Sequence, residues 1–263
     1  MLGTLRKQCN LVVMKKKVYG HLFCSLLLLA STLPACKKQT ETLSLPTLAG
    51  YYPLQPGKIL IYRLDSTHLD ATAMQLQVSS YLVKDSPGAY FNDNTGRPTC
   101  PVYRFITDTM MNTPWQAMYT YYVTETSQLA EVVDDNNMRF IKLKQPVSES
   151  YSWPGNSYIN TTNPDYQYLA NWNYIYQNVN QPYTVLKGNM DSTVTVFQID
   201  DTSPPGDFDP TRYQQRTYSL EVYAKGTGLV YKDFLHWTWQ TDPPPAQYDH
   251  ASYGVRLNLL DVK

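Results

Sequence analysis

Two tryptophans stand two positions apart near the end of the chain, in the stretch DFLHWTWQTD at positions 233–242. On a β-strand, Trp237 and Trp239 point to the same side, because successive side chains alternate between the two faces of a sheet. Two indole rings on one face form a flat strip that can stack on a sugar ring or pack into a core. The alternation places His236 on the opposite, more polar face, where we expect it to face solvent. The strip therefore predicts either a glycan-binding platform or a part of the sheet's core.

A second group of residues with possible chemistry lies in the loop DDTSPPGDFDP, which contains four aspartates. Carboxylate oxygens are ligands that Ca²⁺ prefers in proteins. The spacing matches no EF-hand, and the pair Pro204-Pro205 favours a rigid, solvated turn. Calcium binding and a plain surface loop both stay open for this acidic set, which consists of Asp200, Asp201, Asp207 and Asp209.

A third candidate is Trp172, which stands among tyrosines in the stretch PDYQYLANWNYIYQ at positions 164–177. These rings can line a ligand groove or cover a sheet, because a tyrosine buries its ring while its hydroxyl group stays wet. The pattern fits a short helix and a strand equally well. Trp172 is therefore a candidate ligand-binding residue, with the cover of a sheet as the alternative.

Signatures of catalysis are missing from the sequence. It contains no G-x-S-x-G, no H-E-x-x-H, no phosphate-binding loop and no dinucleotide fingerprint. A pair of carboxylates of the glycosidase type stays open, because such a pair assembles only in the folded chain. We expect a non-catalytic binding or structural module that recognises a glycan, a peptide or an envelope protein. A carrier that encloses an apolar ligand in a half-open β-barrel and a carboxylate-dependent glycan hydrolase are the alternatives.

The N-terminal region has the order of segments typical of a bacterial secretion signal. Met14 is the better candidate start, because Lys15, Lys16 and Lys17 follow it directly and precede an apolar run at positions 22–33. That run is too short to span a bilayer. It ends in the sequence LPAC, which resembles the lipobox of bacterial lipoproteins. The resemblance implies that the last residue of this motif, Cys36, is acylated and anchors the protein; a plain secretory signal with a chance cysteine is the alternative.

Removal of residues 1–35 as a signal peptide leaves a single anchored domain. Residues 36–50 are then the modified cysteine and a polar tether, and residues 51–263 contain no further linker. The signal holds five of the 22 basic residues and none of the 22 acidic ones, so the remainder carries 17 against 22, a net charge of −5. Such a domain does not suit nucleic acid. Lys37 and Lys38 after the anchor favour attachment to the outer membrane. The sequence leaves open whether the domain faces the periplasm or the cell surface.

Composition and alternation predict an all-β fold. The chain has 23 tyrosines and 18 prolines, and tyrosine, valine, isoleucine, threonine and tryptophan favour strands. In one stretch, Tyr218, Leu220, Val222 and Ala224 share a face. Many short strands with frequent turns predict an antiparallel β-sandwich or a partly closed barrel. The strand-like stretches are 58–65, 74–83, 101–107, 115–124, 138–144, 193–200, 217–224 and 253–261.

Several short motifs along the domain occur together in a known family. They are YYPLQPGKILIY at 51–62, IKL and PV at 141–147, WPGN at 153–156 and AKGTGLVYK at 224–232. With these motifs the chain resembles a family of uncharacterised Bacteroidetes outer-membrane lipoproteins. The resemblance implies an envelope location and an all-β domain, and it implies no activity. We interpret Gly155-Asn156 and Gly226-Thr227-Gly228 as turns and packing positions of that domain.

Overall fold

The computed structural model describes residues 48–70, 72 and 75–263. Regular structure in this part of the chain is almost entirely β-strand, and every strand pairing is antiparallel, so the predicted all-β class is confirmed. Two short 3₁₀ helices, Leu48–Gly50 and Pro164–Leu169, interrupt the strands. The stretch 164–177 thus begins as a helix, which Asn163 caps, and continues as a strand. No helix among the described residues has the length and apolarity needed to cross a bilayer.

The strands are numbered in chain order. They are β1 Leu60–Asp70, β2 Gln75–Pro87, β3 Phe91–Asn92, β4 Pro98–Asp108, β5 Gln116–Glu125, β6 Leu129–Val133, β7 Arg139–Lys144, β8 Ser152–Pro154, β9 Asn173–Val185, β10 Gly188–Ser203, β11 Gln214–Ala224, β12 Gly228–Gln240, β13 Gln247–Tyr248 and β14 Tyr253–Val262. They form one sheet in the order β7-β6-β5-β4-β2-β1-β14-β12-β11-β10-β9-β8, with β3 on β4 and β13 on β12.

The two ends of this sheet meet along a seam. The backbone N–H of Ile141 on β7 donates to the carbonyl of Gly155, just after β8, at 2.8 Å. The indole Nε1 of Trp153 on β8 donates to the Ile141 carbonyl at 2.8 Å. The Tyr176 hydroxyl donates to the Lys144 carbonyl at 2.9 Å and accepts from its N–H at 2.8 Å. The sheet is therefore almost closed, and of the two predicted architectures the partly closed barrel is the observed one.

The barrel has two different ends. At one end, which we call the rim, lie the β6–β7 turn at 134–137, the helix Pro164–Leu169 and Tyr253. At the other end, the floor, the segment 48–54 crosses the barrel: Gly50 accepts a hydrogen bond from the N–H of Gly226 at 2.8 Å, and the Tyr52 ring packs 5.5 Å from that of Tyr223. The floor is thus plugged by aromatic residues, and the rim is formed by loops.

Strand β11 turns its polar face toward the barrel interior. The apolar alternation of the sequence is observed, and Val222 belongs to a buried cluster that also contains Val185 of the β9–β10 hairpin and is absent from the cavity wall. The residues between the apolar positions are buried as well: Ser219 and Glu221 are each only 2% exposed, and both line the interior. A closed sheet buries side chains on its inner face whatever their polarity, so the polar set is inside.

Candidate functional site

The barrel encloses a cavity of about 330 Å³ that reaches from the floor to the rim. This volume lies at the small end of the range for sites that hold small molecules. Its wall is mostly aromatic and aliphatic, with a few charged groups deep inside. The apolar and aromatic lining includes Tyr52, Leu64, Met118, Val132, Met138, Phe140, Trp172, Tyr174, Leu229, Phe234, Val255 and Leu257.

One charged group in the cavity wall, the guanidinium of Arg104, donates hydrogen bonds to its neighbours from all three of its nitrogens. Arg104 on β4 donates from Nε and Nη2 to the two carboxylate oxygens of Asp85, each at 2.6 Å. Its third nitrogen, Nη1, donates to the Tyr119 hydroxyl at 2.6 Å, and the Tyr121 hydroxyl donates to Asp85 at 2.9 Å. Burial opposes the charge, but the Asp85 carboxylate raises the pKa of Arg104 well above its usual value. This bidentate pair is a structural part of the floor.

A second charged group contains two ammonium groups and one carboxylate. Lys142 on β7 donates to Oε1 of Glu221 at 2.8 Å, and the Tyr223 hydroxyl donates to its Oε2 at 2.7 Å. Lys232 on β12 lies 3.7 Å from the same Oε1. Burial would raise the pKa of Glu221, but the two lysines and these hydrogen bonds lower it to about 2. Burial, followed by repulsion from Lys142, lowers the pKa of Lys232 to about 8. Glu221 is therefore held ionised and cannot act as a proton donor near neutral pH.

Aromatic side chains gather where the cavity meets the rim. Trp172 is only 3% exposed; its ring stacks 6.5 Å from that of Phe234, and it lines the cavity. Trp172 thus lies in the wall of the cavity, and its role as a ligand-binding residue stays a prediction. Tyr168 stacks 4.2 Å from the ring of His236, and its hydroxyl lies 3.1 Å from that of Tyr253. These rings narrow the rim side of the cavity.

The prediction that His236 faces solvent is wrong. It is 6% exposed, lies on the inner face of β12 with Phe234, and its Nδ1 is 2.8 Å from the Thr217 hydroxyl. Burial lowers the pKa of His236 to about 4, with Asp249 opposing the change. The inner face of a barrel strand carries both polar and apolar residues, so polarity alone did not identify the solvent side.

The tryptophan strip lies on the outer face of the barrel, away from the cavity. Trp237 and Trp239 are both partly buried. Phe208 packs edge-on against them at 5.7 Å and 5.5 Å, and Tyr248 packs at 6.0 Å and 4.9 Å. The strip is therefore neither an open platform nor part of the barrel core, because an aromatic cover from the acidic loop and from β13 shields it. Phe208 itself is 47% exposed.

The four aspartates of the acidic loop are separated by other interactions. Asp200 pairs with Arg216 at 3.2 Å, and Asp209 accepts from the backbone N–H and hydroxyl of Thr211. Asp201 and Asp207 are exposed. Buried Gln214 ties the loop down by donating to three of its carbonyls. Among residues 48–70, 72 and 75–263, no three His, Cys, Asp or Glu side chains come together as a metal site.

The predicted lipidation site, Cys36, lies outside the described residues, as do the signal peptide and nearly all of the tether. The sequence interpretation also missed the polar residues of the cavity wall, which are the charged Lys142, Lys232 and Glu221 and the neutral Gln198. A signal was present: in β11 and β12, polar residues alternate with apolar ones in strands that pair with each other along eleven positions. Two neighbouring strands with matched alternation leave open which face is inside.

No protein-family model and no curated protein matches this chain. Among solved structures, the chain is similar to the crystal structure of a protein from Bacteroides fragilis NCTC 9343, which is named as an exported protein with a YmcC-like fold. The likeness covers 81% of this chain and 98% of that chain, at 9% sequence identity and a TM-score of 0.38. The name of that protein describes export and fold, and it states no ligand or activity.

Proposed function

We propose that the protein is a non-catalytic envelope module that binds a small, largely apolar ligand inside its barrel. The observation that carries this proposal is the 330 Å³ cavity with its aromatic and aliphatic wall. An apolar ligand gains free energy from each part of its surface that leaves water, at about 25 cal/mol per Å². Of the functions that the sequence left open, the carrier is the one that this geometry supports best.

A binding role is favoured over hydrolysis by the protonation state of Glu221, the carboxylate deep in the cavity. Retaining and inverting glycosidases need one carboxyl group that donates a proton and a second that stays ionised. Glu221 is held ionised by Lys142 and Lys232, which lower its pKa to about 2. Its two oxygens already accept hydrogen bonds from Lys142 and Tyr223. The Glu221 carboxylate therefore holds the cavity wall together and does not act as the proton donor of a glycosidase.

We also propose that Cys36 is acylated and attaches the barrel to the outer membrane. The support is the order of three lysines, an apolar run and the LPAC motif in residues 15–36, together with the resemblance to Bacteroidetes lipoproteins. Intact-mass analysis of the protein from a bacterial envelope tests this. A chain that begins at Cys36 and carries acyl mass is expected; a chain without acyl mass refutes the anchor.

The cavity proposal is tested by titrating the full chain carrying Cys36→Ser, which has no acyl chains of its own, with N-phenyl-1-naphthylamine. This neutral apolar probe fluoresces when it leaves water, and saturable binding at one site is expected. Val255→Phe fills the cavity from β14 and is expected to weaken binding at least about tenfold. Leu260→Phe, on the same strand but 38% exposed, is the matched control and is expected to bind as the parent does. Absence of saturable binding, or equal binding by both variants, refutes the proposal.

A further inference from the structure

One ammonium group in the cavity makes no hydrogen bond to any residue that the structure describes. Both oxygens of Glu221 already accept hydrogen bonds, from Lys142 at 2.8 Å and from Tyr223 at 2.7 Å. The Nζ of Lys232 lies 3.7 Å from Glu221, and within the described residues it has no hydrogen-bond partner. Its side chain lines the cavity and is 30% exposed. An ammonium group carries three donors, so this lysine is free to bind an acceptor that enters the cavity.

A second unused donor lies nearby on the same inner face. Gln198 on β10 is 4% exposed and lines the cavity. Its Oε1 accepts a hydrogen bond from the Ser219 hydroxyl at 2.6 Å, which fixes the amide group. Its Nε2 is buried and has no hydrogen-bond partner among the described residues. Buried polar atoms are normally paired, so an unpaired N–H in the wall of a cavity indicates an acceptor on a ligand.

The strand register brings these two donors to the same region. Glu221 pairs with Lys232 across β11 and β12, and Ser219, one inner-face position further along β11, holds Gln198 on β10. Neighbouring strands lie about 4.8 Å apart, so β10 and β12 are about 10 Å apart across β11. Both side chains line the same cavity, and a ligand head group can contact both.

The charges deep in the cavity leave a surplus of one positive charge. Arg104 is matched by Asp85, whereas Lys142 and Lys232 share the single carboxylate of Glu221. The acidic residues Asp134 and Asp135 also line the cavity, but they belong to the β6–β7 turn at the rim, and Asp134 attracts Lys232 less than Glu221 does. A ligand with a single negative charge is therefore attracted to the positive groups deep in the cavity and repelled by the aspartates at the rim.

We infer that the ligand is an amphiphilic monocarboxylate whose head group binds Lys232 Nζ and Gln198 Nε2 while its apolar body extends toward the aromatic rim. This inference rests on the function proposed above and adds the head group to it. A carboxylate has two acceptor oxygens and one charge, which match two separate donors and a surplus of one positive charge. A phosphate monoester carries more charge than this group of residues balances.

The test compares decanoate with decanol, two ten-carbon probes that differ in the head group, as competitors of N-phenyl-1-naphthylamine in the chain carrying Cys36→Ser. Decanoate is expected to bind about tenfold or more tightly than decanol, because only the carboxylate forms a salt bridge with the Lys232 ammonium group. Lys232→Met is expected to abolish this preference and Gln198→Leu to reduce it. Lys187→Met, which removes an ammonium group outside the cavity, is the matched control and is expected to keep it.

The outcomes separate the two proposals. If the probe does not bind at all, the barrel is not a carrier and both proposals fall. If decanol competes as well as decanoate in the parent chain, the carrier stands and the carboxylate site is refuted. The site is also refuted if Lys232→Met keeps the preference. The comparison of acid with alcohol in the parent chain needs no substitution in the cavity, so it decides the question even if Lys232→Met fails to fold.

Discussion

The Nζ of Lys142 lies 2.8 Å from Oε1 of Glu221, although the two residues belong to β7 and β11, which are not neighbours in the sheet. The ion pair therefore crosses the barrel interior and ties opposite walls together. Lys232, on the strand next to Glu221, lies 3.7 Å from the same oxygen and provides a second positive charge. The loss in the free energy of unfolding should depend on which of these three charged residues is substituted.

Glu221→Gln is expected to lower the free energy of unfolding by about 3–5 kcal/mol, because it leaves the buried ammonium group of Lys142 and the half-buried one of Lys232 without a carboxylate. Lys142→Met is expected to cost about half as much, since Lys232 remains to balance Glu221. Urea denaturation at pH 7 measures both changes. Arg256→Met, which breaks the exposed pair with Asp233, is the control and is expected to cost less than about 1 kcal/mol. A larger loss for Lys142→Met than for Glu221→Gln contradicts this account.

His236 makes stability depend on pH in mildly acidic solution. Burial lowers its pKa from 6.5 to about 4, against the opposing effect of Asp249, so the unfolded chain binds the proton first as the pH falls. The stabilising contribution is therefore complete above about pH 6.5 and is lost progressively between pH 6.5 and 4. We expect His236→Gln to flatten the dependence of the urea midpoint on pH in this window.

The control for His236 is the exposed His250, whose substitution by glutamine should leave the dependence on pH as it is in the parent chain. The loss of Glu221 charge occurs at lower pH, because the pKa of Glu221 is about 2. An equal fall in stability for the parent and for His236→Gln between pH 6.5 and 4 would show that another group titrates there.

The fold was predictable from the sequence because strand signals are local. Alternation, tyrosine content and turn residues located most of the long strands, and they predicted that Leu220 and Val222 share a face, as they do. The choice between sandwich and barrel was not predictable, since it depends on the seam between Ile141 and Gly155, and no local pattern determines that these two short segments meet.

The site was not predictable for a related reason. Glu221 and Lys232 read as ordinary solvent-facing residues of two alternating strands, and only closure of the sheet makes their side the interior. The spacing of Trp237 and Trp239 predicted that they share one face, but the barrel places that face outside, beneath Phe208. Trp172 lines the cavity in this fold, whereas the sequence pattern left open whether its ring lines a groove or covers a sheet.

Gly155 is required by close packing at the seam. A Cβ atom at this position would overlap the ring of Tyr174, which is 0% exposed and whose hydroxyl donates to Asn156 at 2.8 Å. The ring cannot move without losing that hydrogen bond, so we expect Gly155→Ala to lower the free energy of unfolding by about 1–3 kcal/mol. Thermal and urea denaturation measure the change.

Gly50→Ala is the matched control for this substitution, because its nearest neighbour is the Cγ of Lys225 at an ordinary contact distance of 3.5 Å. We expect a change within about 0.5 kcal/mol at that position. Equal effects of the two substitutions would mean that the seam at Gly155 and Tyr174 opens easily, which would also weaken the case for a closed barrel.

Binding of a carboxylate in the cavity is expected to weaken as the pH rises through 8. The charges that face Lys232 are Lys142 and Arg104, which repel it, and Glu221 and Asp134, which attract it; with burial as the largest cause, they bring its pKa to about 8. Decanoate stays ionised throughout, so its affinity follows the charge of Lys232 and is expected to fall about tenfold between pH 7 and 9. Decanol should show no such change.

The variant Lys232→Arg keeps its charge at pH 9, so it should remove the dependence of decanoate binding on pH. A decanoate affinity that is constant from pH 7 to 9 in the parent chain contradicts a role for the Lys232 charge.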